Sequence, residues 1–341
     1  MLVPVLDKLK RAARHFRSRV APRAVILLYH RIAQAQTDPW SLCVSPQHFA
    51  EHLEVLRDGY LPIALRRLAG AVEARQPLPG SAVITFDDGY ADNLHQAKPL
   101  LERFDMPATV FVISGYVGSQ REFWWDELER MILVPQALPG SLSLSIGGTP
   151  FNWRSPRSAR VNTEHCGSCA SHERRDSAAE SLHRALWTRL SCLGAEERSE
   201  LLEQLLVWTG AESVSRPSHR PVSVEELLAL GEGKLIEIGS HTVKHPFLSK
   251  LPPASQKDEI RQSRSALEEL IGRPVTSFAY PHGNYAAETP ALIAQAGYKR
   301  ACTTAARTVR ENSSRFQLPR ITVEDWDGEE FARRLSGWLG S

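Results

Sequence analysis

The sequence predicts an α/β protein organised around a parallel β-sheet. Seven short apolar runs, rich in β-branched and aromatic residues, recur along the chain, and such runs are typical of parallel strands covered on both faces. Helical segments fall between them, so a strand–helix unit repeats. A barrel and an open doubly wound sheet both satisfy this pattern, and both place ligand sites at the C-terminal ends of the strands.

Helix-boundary signals separate the predicted strands. Ser45-Pro46 puts proline at the first position of a helix, where its missing N–H costs nothing. Ser223 and Glu226 have the spacing of a capping box, and Gly272 provides a glycine stop after a helix that begins near residue 254. The strands themselves are predicted at 24–30, 82–88, 107–114, 235–241, 276–281, 300–305 and 318–323.

Residues 119–220 interrupt this rhythm. The run SLSLSI, Gly147-Gly148 and TPFNW predicts a β-hairpin, and two amphipathic helices are predicted near 177–193 and 195–209. We therefore expect an inserted hairpin-plus-helices segment that acts as a cap. The expected organisation is a basic N-terminal helix at 1–22, a first barrel part at 23–118, the insertion at 119–220 and a second barrel part at 221–341.

The composition indicates an ordinary globular chain. Of 341 residues, 42% are apolar and 23% are charged, and the formal net charge is +2. This balance gives no general attraction to nucleic acid, and no nucleic-acid partner is expected. The longest apolar runs are shorter than the roughly 18 residues that a membrane-spanning helix needs.

The first 22 residues are strongly basic, with Asp7 as their one acid. They lack the apolar core and cleavage site of a secretory signal, so we expect a cytoplasmic protein. A basic amphipathic helix can lie on an anionic membrane surface, which would place the protein at the inner face of the membrane. The alternative is a solvated leading helix without a membrane role.

Five cysteines in a chain without a secretory signal argue against a disulfide framework. Cys166 and Cys169 have CxxC spacing and follow His165, which raises the idea of a metal or redox site. A zinc site needs further ligands, and none has suitable spacing nearby. We expect a loop with reduced thiols.

The residues that suggest chemistry stand at the ends of predicted strands. Asp87 and Asp88 end one strand, and His241 begins an HxxxH pattern with His245 at the end of another. Two imidazoles and the Asp88 carboxylate would make a metal site with open positions, which leaves Asp87 as a base. Taken singly, the two aspartates also suit a helix cap or turn, and an isolated HxxxH pattern is weak evidence for a metal.

Three motifs, TFDDG, SHTVKH and FAYPHG, resemble those of the polysaccharide deacetylases of carbohydrate esterase family 4. The resemblance covers roughly 24–118 and 222–325. It implies a distorted (β/α)7 barrel and metal-dependent hydrolysis of an N-acetyl group on a sugar. By position, Asp87 corresponds to the general base. The metal ligands, most often for Zn²⁺, correspond to Asp88, His241 and His245.

The third motif departs from the family pattern RxPY. Ala279 stands at the arginine position and His282 at the tyrosine position. The family arginine pairs with the base, so we expect another cation to serve Asp87 and propose Arg320 for it; a salt bridge elsewhere is the alternative. The resemblance assigns an oxyanion-binding N–H to His282, and it makes Tyr280 and Pro281 candidates for the substrate pocket.

The family's late histidine, which protonates the leaving amine, is missing here. Biofilm poly-N-acetylglucosamine deacetylases, whose barrel is circularly permuted, resemble this chain in an early Tyr-His strand end, here Tyr29-His30. A barrel permits this exchange because its first and last strands can be neighbours. His30 is therefore the predicted general acid. Two alternatives stay open: His282 is the acid instead, or His30 only caps the end of its strand.

The resemblance implies an N-acetylated sugar as the substrate. The lack of a secretory signal points to a cytoplasmic precursor, such as a lipid-linked or nucleotide-linked glycan in cell-surface polysaccharide synthesis. Trp124 and Trp125 open the insertion and are candidates for a sugar-stacking groove wall, although tryptophan is as often found in a core. Two other functions stay open: hydrolysis of a small non-sugar amide on the same barrel, and glycan binding without catalysis. The complete set of metal ligands argues against both.

Overall fold

The computed structural model describes residues 24–76, 78–135, 137–155 and 178–340. The predicted N-terminal helix at 1–22 and the Cys166–Cys169 motif lie outside these ranges. The strands are β1 (Val25–Tyr29), β2 (Arg31–Ile32), β3 (Cys43–Val44), β4 (Leu61–Pro62), β5 (Ser81–Phe86), β6 (Ala108–Val112), β7 (Ser141–Ile146), β8 (Thr149–Arg154), β9 (Ile236–Ser240), β10 (Ser277–Ala279), β11 (Arg300–Cys302) and β12 (Ile321–Thr322). The helices are α1 (Pro46–Gly59), α2 (Leu65–Glu73), α3 (Lys98–Phe104), α4 (Trp124–Ile132), α5 (Ala178–Leu190), α6 (Ala195–Thr209), α7 (Val224–Leu230), α8 (Pro253–Ile271), α9 (Thr289–Gln295) and α10 (Gly328–Gly340).

A parallel sheet joins the strands in the order β11-β10-β9-β6-β5-β1-β12. In its register Leu27 lies opposite Ile84 on one side and Ile321 on the other. A further parallel bridge joins Cys302 of β11 to Leu318, shortly before β12, so the two ends of the series meet as in a barrel. The seven strands of this order coincide with predicted strands; the eighth strand of the sheet, β4, pairs with β5 outside this order and was not predicted. The α/β class and the distorted (β/α)7 barrel are therefore confirmed.

The helix boundaries follow the capping chemistry of the sequence. The Ser45 side chain accepts a hydrogen bond from the backbone N–H of His48 at the start of α1, and Ser223 with Glu226 forms a complete capping box at the start of α7. Gly272 ends α8 with φ of 64°, a left-handed conformation that suits glycine.

Residues Glu122–Arg216 form one compact unit, and the chain before and after them forms the other. The smaller unit contains the predicted hairpin, β7 and β8, which pair antiparallel across Gly147 and Gly148. Both glycines have positive φ, 58° and 73°, which the two-residue turn requires. The two helices predicted after the hairpin correspond to α5 and α6.

Within the described ranges, no helix is both long enough and apolar enough to cross a bilayer.

The barrel interior is filled by its own cluster of buried side chains, which the strands contribute at alternate positions. Phe111 is the largest member of this cluster from the barrel strands. A Cβ atom on Gly239 of the neighbouring β9 would lie 2.5 Å from the Phe111 ring, so glycine at 239 leaves the space that the ring fills. The Arg320 guanidinium lies over the same ring, 5.4 Å from its centroid. Phe111 therefore supports this cation from within the barrel.

This close approach predicts that Gly239→Ala destabilises the protein. The added methyl group overpacks the interior, and we expect a loss of about 1–3 kcal/mol in the free energy of unfolding, measured by denaturant titration. Gly70→Ala in α2 is the control, because a Cβ there has nothing within 4 Å; it should gain about 0.5–1 kcal/mol from helix propensity. Equal effects of the two substitutions would contradict the packing argument.

Candidate active site

Asp87 and Asp88 follow directly after β5, at the C-terminal mouth of the barrel. Asp88 has φ of 73° and Gly89 has φ of 84°, so the alternation of a regular strand stops at this point. Both carboxylates consequently face one imidazole: Asp87 Oδ2 lies 3.7 Å and Asp88 Oδ1 lies 3.6 Å from His241 Nε2.

His241 and His245 stand on a turn after β9 rather than on a helix. Thr242 and His245 have positive φ values of 66° and 56°, and the Thr242 hydroxyl accepts a hydrogen bond from the His245 N–H at 3.0 Å. This turn brings the two Nε2 atoms to 3.1 Å from each other. His245 Nε2 also lies 3.6 Å from Asp88 Oδ1.

The donor set of Asp88, His241 and His245 fits a divalent metal. The three are buried, and their ligand atoms lie within 4.8 Å of one another. The separations of 3.1, 3.6 and 3.6 Å bracket the ligand–ligand distance of about 3.3 Å expected for tetrahedral zinc with bonds of about 2.0–2.1 Å. Three protein ligands leave coordination positions open, which is typical of catalytic rather than structural sites.

The protonation state of His241 also suits a ligand. Its Nδ1 lies 2.8 Å from the Ala279 carbonyl oxygen, so this nitrogen carries the hydrogen and Nε2 presents its lone pair to the metal position. Burial lowers the pKa of His241, although Asp87 and the Ala279 carbonyl act in the opposite direction. The resting imidazole is therefore neutral, as metal binding requires.

Arg320 pairs with Asp87 through two hydrogen bonds, Nη1 to Oδ1 and Nη2 to Oδ2, both 2.7 Å long. The predicted contact between these residues is thus present. The guanidinium is fully buried and also donates from Nε to the Thr303 carbonyl at 2.9 Å and from Nη1 to the Thr85 hydroxyl at 3.2 Å. This fork fixes the orientation of the carboxylate as well as its charge.

The charge of Asp87 results from two opposing effects. Burial favours the neutral acid and raises the pKa, but the charge and hydrogen bonds of Arg320, together with His241, outweigh it and hold the pKa below its ordinary value. Asp87 therefore stays ionised, ready to accept a proton.

His30 follows β1 at the same mouth of the barrel and keeps part of its surface exposed. Burial of the imidazole lowers its pKa to about 4, while Asp87 acts to raise it and Arg320 and His241 to lower it. These charges show that His30 shares the electrostatic environment of the candidate base.

His282 stands in a left-handed turn with φ of 56°. Its ring stacks on Phe247 at 4.0 Å between centroids and meets the ring of His245 edge-on at 4.4 Å. The side chain therefore packs against a candidate metal ligand. Pro281 beside it is buried.

Comparison with known proteins agrees with this geometry. The family model described as "Polysaccharide deacetylase" matches residues 74–135 and 218–301, which contain Asp87, Asp88, His241 and His245. Over these two segments the chain is similar to the polysaccharide deacetylase family.

Two curated relatives of this family align with most of the chain. YxkH of Bacillus subtilis (strain 168), whose name describes it as a candidate polysaccharide deacetylase, is 21% identical over 300 residues, or 87% of this chain and 70% of YxkH. The poly-beta-1,6-N-acetyl-D-glucosamine N-deacetylase of Escherichia coli (strain K12) is 24% identical over 250 residues, which are 67% of this chain and 36% of that protein.

Solved structures share the fold. The deacetylase PplD of Streptococcus pyogenes, in complex with acetate, superposes with a TM-score of 0.57 at 18% identity and covers 92% of this chain and 98% of its own. IcaB from Ammonifex degensii gives a TM-score of 0.57 at 18% identity, with 94% and 97% covered. At these identities the likeness establishes the fold alone.

Three predicted substrate contacts are corrected by the structure. Tyr280 is fully buried, and its hydroxyl donates to the Phe316 carbonyl at 2.8 Å, because alternation along β10 turns it toward the helices while Ala279 faces the barrel. Trp124 and Trp125 are only 3% and 6% exposed. They pack within the unit Glu122–Arg216, against Trp187 and Phe123, which leaves little ring surface for a sugar.

The structure also adds residues that the sequence did not indicate. Thr85 and Thr303 complete the hydrogen bonding of Arg320, and the Ala279 carbonyl orients His241. Backbone carbonyls leave no signal in a sequence. Phe247, two positions after the HxxxH pattern, was visible as an aromatic residue, but nothing local predicts its stack on His282.

The buried pair makes Arg320→Ala a strongly destabilising change. The substitution leaves the Asp87 carboxylate buried without its cation, so we expect a loss of about 3–5 kcal/mol in the free energy of unfolding. Adding Ala279→Arg, at the position where the family motif carries its arginine, should restore part of this loss. The control is Arg57→Ala, which removes an exposed pair with Asp58 and should cost less than about 1 kcal/mol. Similar losses for Arg320→Ala and the control would contradict the argument.

Proposed function

We propose that this protein is a zinc-dependent N-deacetylase that hydrolyses the acetamide of a sugar in a glycan. The match to the polysaccharide deacetylase family model supports hydrolytic deacetylation of a polysaccharide. The observation that carries the metal dependence is the triad of Asp88, His241 and His245 beside an ionised Asp87. Zinc fits the ligand chemistry, although other divalent ions suit the same donors.

In the proposed reaction, a metal held by the triad would polarise the acetamide carbonyl and lower the pKa of the attacking water. Asp87 removes a proton from that water. Because Arg320 lowers the pKa of Asp87, the carboxylate is a weak base and depends on the acidified water. The backbone N–H of His282 would stabilise the negative charge that develops on the carbonyl oxygen.

His30 completes the proposed reaction as the general acid. The C–N bond breaks, the sugar nitrogen takes a proton from the His30 imidazolium, and the water oxygen remains in the acetate. At neutral pH the resting imidazole is neutral because burial lowers its pKa to about 4. We therefore propose that the proton taken up by Asp87 is the one that reaches His30, whose affinity for protons the Asp87 charge increases.

The proposed substrate is an N-acetylated glucosamine glycan or a lipid-linked or nucleotide-linked precursor of a cell-surface polysaccharide. The named substrate of the Escherichia coli relative supports the sugar. The linkage, the cytoplasmic location and contact with the inner face of the membrane are proposals that rest on the amino-acid sequence alone.

Metal dependence can be tested by acetate release from a β-1,6-linked N-acetylglucosamine oligosaccharide. Chelation should reduce the rate by about 10²-fold or more, and added Zn²⁺ should restore it. Asp88→Asn and His245→Gln should lower the bound metal measured by mass spectrometry. Full acetate release from protein shown to be metal-free would refute the mechanism.

The two candidate acids can be separated by kinetics. His30→Ala is expected to lower kcat by about 10²-fold or more without changing bound metal, because only the leaving nitrogen loses its proton donor. His282→Ala should affect the rate less and weaken metal binding, since its ring packs on His245. His48→Ala is the control, because His48 pairs with Asp325 on the protein surface and should retain wild-type turnover. Near-normal turnover of the His30 variant would exclude it as the acid.

A further inference from the structure

The imidazole of His30, the proposed acid, is not fixed by a hydrogen bond within the described residues. The ring is also partly exposed. The hydrogen bonds that fix this residue are therefore made by the backbone at the end of β1.

Asn93 supplies such a constraint. Its Nδ2 donates to the His30 carbonyl oxygen at 2.9 Å and to Asp92 Oδ1 at 3.2 Å. The side chain is only 1% exposed, so water cannot readily replace the bond. On the other side of His30, the Tyr29 carbonyl accepts the backbone N–H of Asp87 at 3.0 Å.

Asp92 holds the two residues that follow His30. Its carboxylate accepts the Ile32 N–H at 3.1 Å and Arg31 Nε at 3.0 Å. The buried Arg31 guanidinium also lies 4.6 Å from the centroid of the Tyr90 ring. The segment 30–32 is thus fixed by neighbours at three consecutive positions.

These partners come from the segment that carries the proposed base. Asp87, Asp88, Asp92 and Asn93 lie within seven consecutive residues, and Asn93 begins a π-helical turn, Asn93–Ala97. Single π turns occur frequently at functional sites. The same loop therefore presents the base and holds the backbone of the acid.

We propose that Asn93, backed by Asp92, is a positioning residue that holds His30 at the leaving nitrogen. The inference rests on the proposed role of His30 as the general acid. It assigns to the loop 87–93 a part in setting the spacing between base and acid, together with the pairing of β1 with β5, which ends at the bond from the Asp87 N–H to the Tyr29 carbonyl.

The proposal has a consequence that a purely structural role lacks. An amide nitrogen must be protonated as it leaves, whereas the aryloxide of an activated ester leaves without a proton. Misplacing His30 should therefore slow amide hydrolysis and spare ester hydrolysis. Damage to the metal, to Asp87 or to the fold would slow both.

The test compares two probes, a β-1,6-linked N-acetylglucosamine oligosaccharide and 4-nitrophenyl acetate, on the full chain loaded with Zn²⁺. Asn93→Leu keeps the side-chain size and removes the donor; Asn93→Ala is made in parallel in case the branched side chain disturbs folding. We expect kcat on the oligosaccharide to fall about 10- to 100-fold, with bound metal unchanged. The rate on the ester should stay within about twofold.

The control is Gln256→Met. Gln256 is also 1% exposed, and its Nε2 donates to the Leu251 carbonyl at 3.0 Å, away from the proposed acid. This variant measures how the loss of a buried side-chain amide away from the site changes the rates on the two probes. We expect equal, small changes on both probes.

A double variant shows whether Asn93 acts through His30. His30→Ala combined with Asn93→Leu should hydrolyse the oligosaccharide no more slowly than His30→Ala alone, because the misplaced group is already gone. Equal losses on both probes in Asn93→Leu, or additive losses in the double variant, would overturn the inference. If His30→Ala itself slows the two probes equally, the acid role fails first, and that result is distinct from a failure at Asn93.

Discussion

The buried ion pair between Arg320 and Asp87 is the interaction on which the mouth of the barrel depends. Burying two charges is expensive unless their hydrogen bonds are satisfied, and here the guanidinium makes bonds to Asp87, Thr303 and Thr85. The Phe111 ring lies under the cation, in space that Gly239 leaves open. The guanidinium, which would be costly to bury alone, is thereby held in one position and fixes the Asp87 carboxylate beside it.

This pair also explains how two adjacent aspartates coexist. Asp87 is neutralised by Arg320 from within the barrel, while the positive φ of Asp88 turns its carboxylate toward the two histidines. Asp87 thus meets a guanidinium, while Asp88 faces the two histidines with which it could hold a metal ion. The repulsion between the two carboxylates is reduced because they face different partners. A base and a metal ligand at adjacent positions require the same arrangement.

The sequence was sufficient for features that local patterns encode. Strand runs, the Ser223 cap and the Gly147-Gly148 turn depend on neighbouring residues, and the structure contains them where they were expected. The HxxxH spacing likewise anticipated the triad. The surroundings of the site were harder to predict, because the direction of a side chain depends on register. Ala279 faces the interior and Tyr280 the helices, a difference of one position that the motif alone did not resolve.

The displaced arginine shows why geometry rather than position in the sequence decides such a site. In the barrel, β10 and the segment before β12 lie on opposite sides of β11, with Ala279 and Leu318 both opposite Cys302. A side chain two residues beyond Leu318 points into the same interior, one layer nearer the mouth. Arg320 can therefore reach Asp87 although the two residues are 233 positions apart in sequence, while Ala279 contributes its carbonyl to His241. The cation beside Asp87 is thus carried by the segment before β12, while the motif position 279 holds alanine.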